Sequence, residues 1–260
     1  MKALTGFFMA WSCFTVLPCP CRKWDEDARK YMLLFLPCIG LIIGMLWICL
    51  WLALRLAGAP APLEAACMTV FPFIMTGGIH LDGFIDCSDA VFSRRSPEER
   101  NRILKDSHVG AFGVIVPAIM FVLYFGAMWG VIGSGNMSDI FLLLIVPFMT
   151  RAAVSTDLLF LRPMEGSQYQ KISGRSGRAK DLTAVIVVTA AGYLIFQICI
   201  CILFPWVYGA AVLIIPLAAA AVPALLCCRG AKLLGGISGD VAGWGLIWGE
   251  VTALVLMALL

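Results

Sequence analysis

The chain has 260 residues, of which 61% are hydrophobic and only 13% charged, and its formal net charge is +3. A soluble domain carries about 25% charged residues, so a water-soluble globule of this composition would lack the polar surface to cover itself. That excludes a soluble enzyme and leaves an integral membrane protein, with the lipid bilayer as its first partner and nucleic acid not expected among the others.

The first residues, MKALTGFFMAWSCFTVLPCP, lack a clear small-residue cleavage site, so no cleavable signal peptide is expected. Gly6 to Pro18 is apolar but too short to span comfortably, which predicts a short interfacial or re-entrant helix. Seven spans follow, at roughly 31–57, 62–80, 109–133, 139–161, 182–204, 206–226 and 240–259. The prolines inside them, such as Pro37, Pro72 and Pro147, are tolerable where neighbouring helices satisfy the freed backbone groups.

The Lys and Arg residues alternate between the connecting segments. Arg22, Lys23, Arg29 and Lys30 precede the first span, and Arg94, Arg95, Arg100, Arg102 and Lys105 follow the second. Arg162, Lys171, Arg175, Arg178 and Lys180 follow the fourth, and Arg229 and Lys232 the sixth. The intervening loops, GAPAP, GSGNMS and the turn at Pro205, carry none. By the positive-inside rule the basic segments face the cytoplasm. Arg55 is the exception, near the outer end of the first span, where its long side chain can snorkel. The expected architecture is a single all-α catalytic domain over residues 1–260. It is a polytopic membrane bundle of about seven transmembrane helices plus a short N-terminal apolar helix. The expected location is the cell inner membrane, with the active site facing the cytoplasm; a homo-oligomer is left open.

The 11 cysteines show no metal pattern. Cys19 with Cys21, and Cys227 with Cys228, lack zinc-ligand spacing and nearby His partners. Cys38, Cys49, Cys67, Cys199 and Cys201 fall in apolar spans, where a free thiol acts as a small hydrophobe.

The acids are placed less evenly. GGIHLDGFIDCSDAVFSRRSPEERNRILKDSHVGAFG, from Gly77 to Gly113, holds Asp82, Asp86 and Asp89 at i, i+4 and i+7. On a helix those positions share a face, where three carboxylates repel one another unless a cation joins them. Acids at membrane depth usually face a functional cavity. Mg²⁺ fits the chemistry, because it takes oxygen ligands and keeps water and substrate phosphates for its remaining positions. His80 stands just before the triad, placed to accept a proton or contact a phosphate. Gly77, Gly78 and Gly83 allow close approach of backbone or ligand. Glu98, Glu99, Arg100 and Arg102 read instead as an exposed, paired helix. Lys105, Asp106, Ser107 and His108 open the third span, in which Gly110 and Gly113 permit close packing.

A second polar cluster lies in LGGISGDVAGWGLIWGE. Its turn, with Gly235, Gly236, Ser238 and Gly239, leads into the last span, a place where backbone N–H groups suit a phosphate. Asp240 at that turn is either a further metal ligand or a cap. Glu250, about three turns further on, needs a partner. Arg151 in the fourth span is the candidate, in a structural pair or as a substrate contact.

These motifs are similar to those of the cobalamin synthase (adenosylcobinamide-GDP ribazoletransferase) family. The first resembles the pattern G-G-x-H-x-D-G-x-x-D-x-x-D followed by K-D-S-x-x-G-x-x-G, and the C-terminal GGISGDVAGWGLIWGE resembles G-G-x-T-G-D-x-x-G with a later Glu. FFMAWSCFTVLPCP and FLPCIGLIIG fit its N-terminal layout. His108 stands where the family usually has Arg, Ser238 where it usually has Thr, and Ala90 where Gly is frequent. The resemblance implies a Mg²⁺-dependent transferase that joins adenosylcobinamide-GDP to α-ribazole or its 5′-phosphate, releasing GMP and forming adenosylcobalamin or its 5′-phosphate. It implies His80, Asp82, Asp86 and Asp89 as the catalytic group. Metal would fall to Asp82, Asp86, Asp89 and Asp240. Substrate contacts would come from Gly77, Gly78, Lys105, Asp106, Ser107, Arg151, Gly236, Ser238 and Gly239. Two other readings compete: a CDP-alcohol-type phosphotransferase acting on another substrate, and a cation-coupled transporter. Acids gathered at one membrane face, with no repeat of the acid motif between halves, favour an enzyme over the transporter.

Overall fold

The structure is a computed structural model describing residues 1–171, 175–204 and 210–260. The described residues form ten α-helices and two short 3₁₀ turns. They are α1 (Lys2–Phe14), α2 (Arg29–Leu56), α3 (Ala61–Met75), α4 (Ile79–Phe92), α5 (Pro97–Leu104), α6 (Ala111–Gly133), α7 (Met137–Phe160), α8 (Arg175–Leu203), α9 (Ala210–Leu234) and α10 (Gly239–Leu259). Six are long and apolar enough to cross a bilayer, and α3 with α4 makes a seventh if that pair counts as one broken span. The all-α polytopic membrane bundle expected from the sequence is therefore the fold.

Three boundaries differ from expectation. The predicted span 62–80 is not one helix. α3 stops at Met75 and the chain bends by 92° into α4. Gly77 and Gly78 both adopt left-handed backbone, with φ of 62° and 75°, which ends a helix and which other residues adopt at a cost. The bend leaves α4 as a separate element carrying the acids. α9 runs on to Leu234, so Arg229 and Lys232 lie in its last turns rather than in a loop. The N-terminal helix starts at Lys2 and ends at Phe14, earlier than Gly6 to Pro18. The turn at Pro205 lies outside the described residues, as do the side chains of Lys171, Arg175 and Arg178.

Glycines set the closest helix contacts. Lipid offers helices no hydrophobic drive to associate, so tight packing depends on small residues that let backbones approach. Gly40 and Gly44 of α2 rest on the backbone of α7 at Pro147 and Leu144. On α10, Gly243 abuts the His80 backbone of α4, while Gly245 and Gly249 abut Pro223 of α9. α10 is thereby clamped between α4 and α9. At one end of the bundle, Arg55 pairs with the buried Glu64 at 3.1 Å and donates to the Ile132 carbonyl at 3.3 Å. The lone basic residue of that end is thus neutralised by an acid of α3. The starts of α2, α6 and α10 and the ends of α7 and α9, with their basic residues, gather at the opposite end.

Candidate active site

The site lies at that basic end and is built from both sequence clusters. Gly83 of α4 packs directly on the Asp240 backbone of α10, which brings the two acid-bearing segments together. The carboxylates of Asp82, Asp240 and Asp89 all bear electrostatically on Asp86. Among the described residues no basic side chain pairs with Asp82, Asp86 or Asp240. Ser238 caps α10, accepting from the Val241 N–H at 3.3 Å and donating to Asp240 Oδ2 at 3.2 Å.

Asp89 departs from the expected triad. Its two oxygens accept from the backbone N–H groups of Gly110 at 2.9 Å and Gly113 at 3.2 Å. It therefore caps α6 from another helix and satisfies donors that a helix start leaves orphaned. A side chain at Gly110 would run into that carboxylate. Asp82, Asp86 and Asp89 thus share the helical face read from the sequence, Asp89 with backbone partners on α6 and Asp240 joining the group across the interface.

Other expected contacts are also reassigned. Arg151 is not free for a substrate: its Nη1 pairs with Glu250 Oε1 at 2.8 Å, with both side chains almost wholly buried, and also donates to the Pro147 carbonyl. A buried guanidinium without an acid would be strongly destabilising, so the pairing with Glu250 supports the fold. Gly236 sits against Pro163 and Met164, where a side chain would collide with backbone. It permits a bridge in which Met164 N–H donates to Ile237 O at 2.9 Å and Ile237 N–H to Arg162 O at 2.8 Å. That bridge fastens the loop after α7 to the turn before α10. Gly77 and Gly78 form the α3–α4 bend. Lys105, Asp106 and Ser107 are exposed and do not line the cavity described next. Asp106 accepts from the backbone of His108 at 3.0 Å and from its ring at 2.7 Å. Those contacts, the backbone one foremost, hold its carboxyl below the usual range. Of the residues predicted to bind substrate, Gly239 is the one that reaches the cavity.

Between α1, α2, α4, α7 and α10 lies a cavity of about 290 Å³. Asp82, Asp240 and His80 line one side, and Arg29 and Tyr169 line it as well. The His80 ring stacks on Phe14 with centroids 5.9 Å apart, and its Nε2 is enclosed and has no hydrogen-bond partner. Arg29, at the start of α2, donates to Gln168 Oε1 at 2.8 Å and to Glu26 at 3.3 Å. Burial pushes the Tyr169 hydroxyl up to about 12, so it stays protonated and able to donate at neutral pH.

Arg29, Tyr169 and Phe14 were missed as site residues by sequence reasoning. Arg29 was counted only for sidedness, and Phe14 only as part of an apolar helix. For Tyr169 the available signal was a lone aromatic in the polar stretch EGSQYQ. Uncompensated carboxylates beside a cavity that also holds a fixed cation suit a phosphorylated substrate and a divalent ion.

The sequence model of the family described as cobalamin-5-phosphate synthase matches residues 6–258. The chain belongs to this family. A relative from Clostridium botulinum (strain Alaska E43 / Type E3), named adenosylcobinamide-GDP ribazoletransferase, is 35% identical over 96% of this chain and 95% of its own. One of the same name from Clostridium perfringens (strain 13 / Type A) is 35% identical over 97% and 96%. Another from Pseudomonas putida (strain ATCC 700007 / F1) is 34% identical over 81% and 80%. No solved structure matches the chain. The chain is accordingly an enzyme of cobalamin synthesis, and the family match includes both acid-bearing segments that the cavity joins.

Proposed function

We propose that the protein transfers the adenosylcobinamide-phosphate moiety of adenosylcobinamide-GDP to α-ribazole or α-ribazole 5′-phosphate, releasing GMP, at the cytoplasmic face of the cell membrane and with Mg²⁺. The observation that carries this reading is the set of Asp82, Asp86 and Asp240, mutually repelling and without basic partners among the described residues, with Asp82 and Asp240 lining the cavity. Such an arrangement is costly unless a cation joins it. Among the described residues no three His, Cys, Asp or Glu side chains are gathered closely enough to hold an ion alone. Mg²⁺ suits that incomplete set, since it retains water and substrate phosphates as ligands; Asp82, Asp86 and Asp240 would hold it, and when bound it supplies charge neutralisation at the leaving phosphate.

The protein's own groups do the rest. Asp82 and Asp240 face the cavity where the acceptor's ribose hydroxyl must approach the donor's phosphate. His80 Nε2, unpartnered and enclosed, is placed to take the hydroxyl proton as attack proceeds in line and GMP departs. Phe14, stacked on the imidazole, fixes the ring plane. Ser238 and the Gly83 contact hold Asp240 against α4. The walls of Met32, Leu36 and Leu246 exclude water that would hydrolyse the donor.

The test is GMP release by the purified full-length protein in detergent or lipid, given both substrates. Release that needs both substrates and stops with EDTA is expected. Release that continues unchanged without divalent metal would remove the metal assignment, and no release with either acceptor would sink the proposed reaction.

A further inference from the structure

The proposed reaction has two substrates, and the cavity has one shape. Resting on that reading, we infer that the cavity is the acceptor subsite. It holds the apolar bicyclic base of the acceptor nucleoside against Phe14, with Arg29 as the specificity residue that takes the acceptor's 5′-phosphate.

Size comes first. At about 290 Å³ the cavity sits at the small end of ligand pockets, roughly 300–1,000 Å³. That accommodates a nucleoside and excludes a corrin macrocycle. The donor's cobinamide must therefore stay outside, and the choice is between its guanosine and the acceptor.

Chemistry decides between those. Much of the lining is apolar or aromatic: Phe14, Met32, Leu33, Leu36, Val154 and Leu246. A guanine edge presents several donors and acceptors that these apolar walls would leave unpaired, and the polar groups of the lining, Asp82, Asp240 and Arg29, are the ones a ribose and phosphate need. A benzimidazole-type base carries a single free ring nitrogen. That single acceptor leaves little unpaired against apolar walls, so the base needs no partner from His80.

Charge supplies the orientation. Carboxylates Asp82 and Asp240 line the cavity together with the cation Arg29. Tyr169 lines the cavity as well and interacts electrostatically with both Arg29 and Asp240. A nucleoside 5′-phosphate fits that polarity in one direction: phosphate on Arg29, with a ribose hydroxyl toward the acids. Arg29 is pre-set for this. Its hydrogen bonds to Gln168 and Glu26 use two of five guanidinium donors, and its side chain is only 17% exposed.

The experiment measures KM for α-ribazole 5′-phosphate, for unphosphorylated α-ribazole and for the donor, in the wild-type protein, Arg29→Gln and Gln168→Ala. Arg29→Gln is expected to raise KM for the phosphorylated acceptor roughly 10- to 100-fold, the worth of charge-assisted phosphate contacts. The KM values for α-ribazole and for the donor should stay within about twofold. Gln168→Ala keeps the cation and breaks the tether, so its loss should be smaller and should also fall on the phosphorylated acceptor. Three results overturn the proposal: a rise in donor KM, equal losses for both acceptors, or no change for either. Equal losses in Arg29→Gln and Gln168→Ala across both acceptors would assign Arg29 to holding the loop alone. Arg29→Lys, which retains the charge, should recover part of the affinity, and a Lys variant no better than Gln also counts against phosphate recognition. A wild-type protein inactive with both acceptors would instead fail the proposed reaction itself.

Discussion

Two acid-bearing regions of α10 lie about three helical turns apart and handle charge in opposite ways. Glu250 is matched inside the protein: Arg151 meets it at 2.8 Å and both are almost fully buried. Asp240 accepts from the Ser238 hydroxyl but has no basic partner among the described residues, and the charge it meets from α4 is negative. The first region is complete without a ligand and serves the fold. The second leaves like charges facing one another beside the cavity. The difference lies in whether the neighbouring helix supplies a cation, not in the residue type or in its depth along α10.

Four changes break or sharpen this contrast. The largest effect is expected at the unmatched end. Asp82→Ala or Asp86→Ala should lower turnover by roughly 10³-fold or more, since metal-borne charge stabilisation is worth several kcal/mol at about 1.4 kcal/mol per decade. Thermal unfolding should be unchanged or raised, because a repulsion is relieved. Near-normal turnover in the double Asp82, Asp86 variant would show that the unmatched acids are not used.

His80→Ala comes next. As the loss of a proton acceptor it should lower turnover by about 10²- to 10⁴-fold, with the Mg²⁺ midpoint of activity unmoved. A large rightward shift of that midpoint would instead place His80 in the metal site.

At the matched end the measurement is stability. Arg151→Ala leaves Glu250 buried and unpaired, and should cost about 3–5 kcal/mol, read as a lowered unfolding midpoint in detergent. Replacing both partners by Met and Leu should recover most of the loss. An Arg151→Ala protein of normal stability but raised substrate KM would return Arg151 to the binding role.

The smallest effect is expected for Asp89. Losing the cap on α6 should cost about 0.5–2 kcal/mol of stability, with far less loss of turnover than Asp82→Ala. Equal turnover losses in the two variants would restore Asp89 to the metal set.

Asp89 also shows what spacing alone leaves out. The i, i+4, i+7 pattern correctly puts three acids on one helical face, yet a face is wide enough to meet two neighbours. α10 takes Asp86 and Asp82, while the start of α6 takes Asp89. The same limit hid the α3–α4 bend. Hydropathy reads apolar residues through Thr76 as one span, but two consecutive left-handed glycines end the helix there. Arg29 escaped notice because a basic residue before a span carries the same sidedness signal whether it faces water or a cavity.

By itself the sequence determined the membrane setting, the all-α class, the charge alternation of the loops and the two segments that carry the acids. Each is a property of composition or of local periodicity, set by the bilayer as solvent. Only the tertiary structure decided which charges are cancelled and which are left over. It paired Arg151 with Glu250, turned Asp89 onto a helix start and brought Asp240 against Gly83. It also closed a cavity around His80 and Arg29. Those outcomes depend on which helices touch, and in a membrane that is settled by where glycines let backbones meet, a pairwise fit between segments distant in the chain.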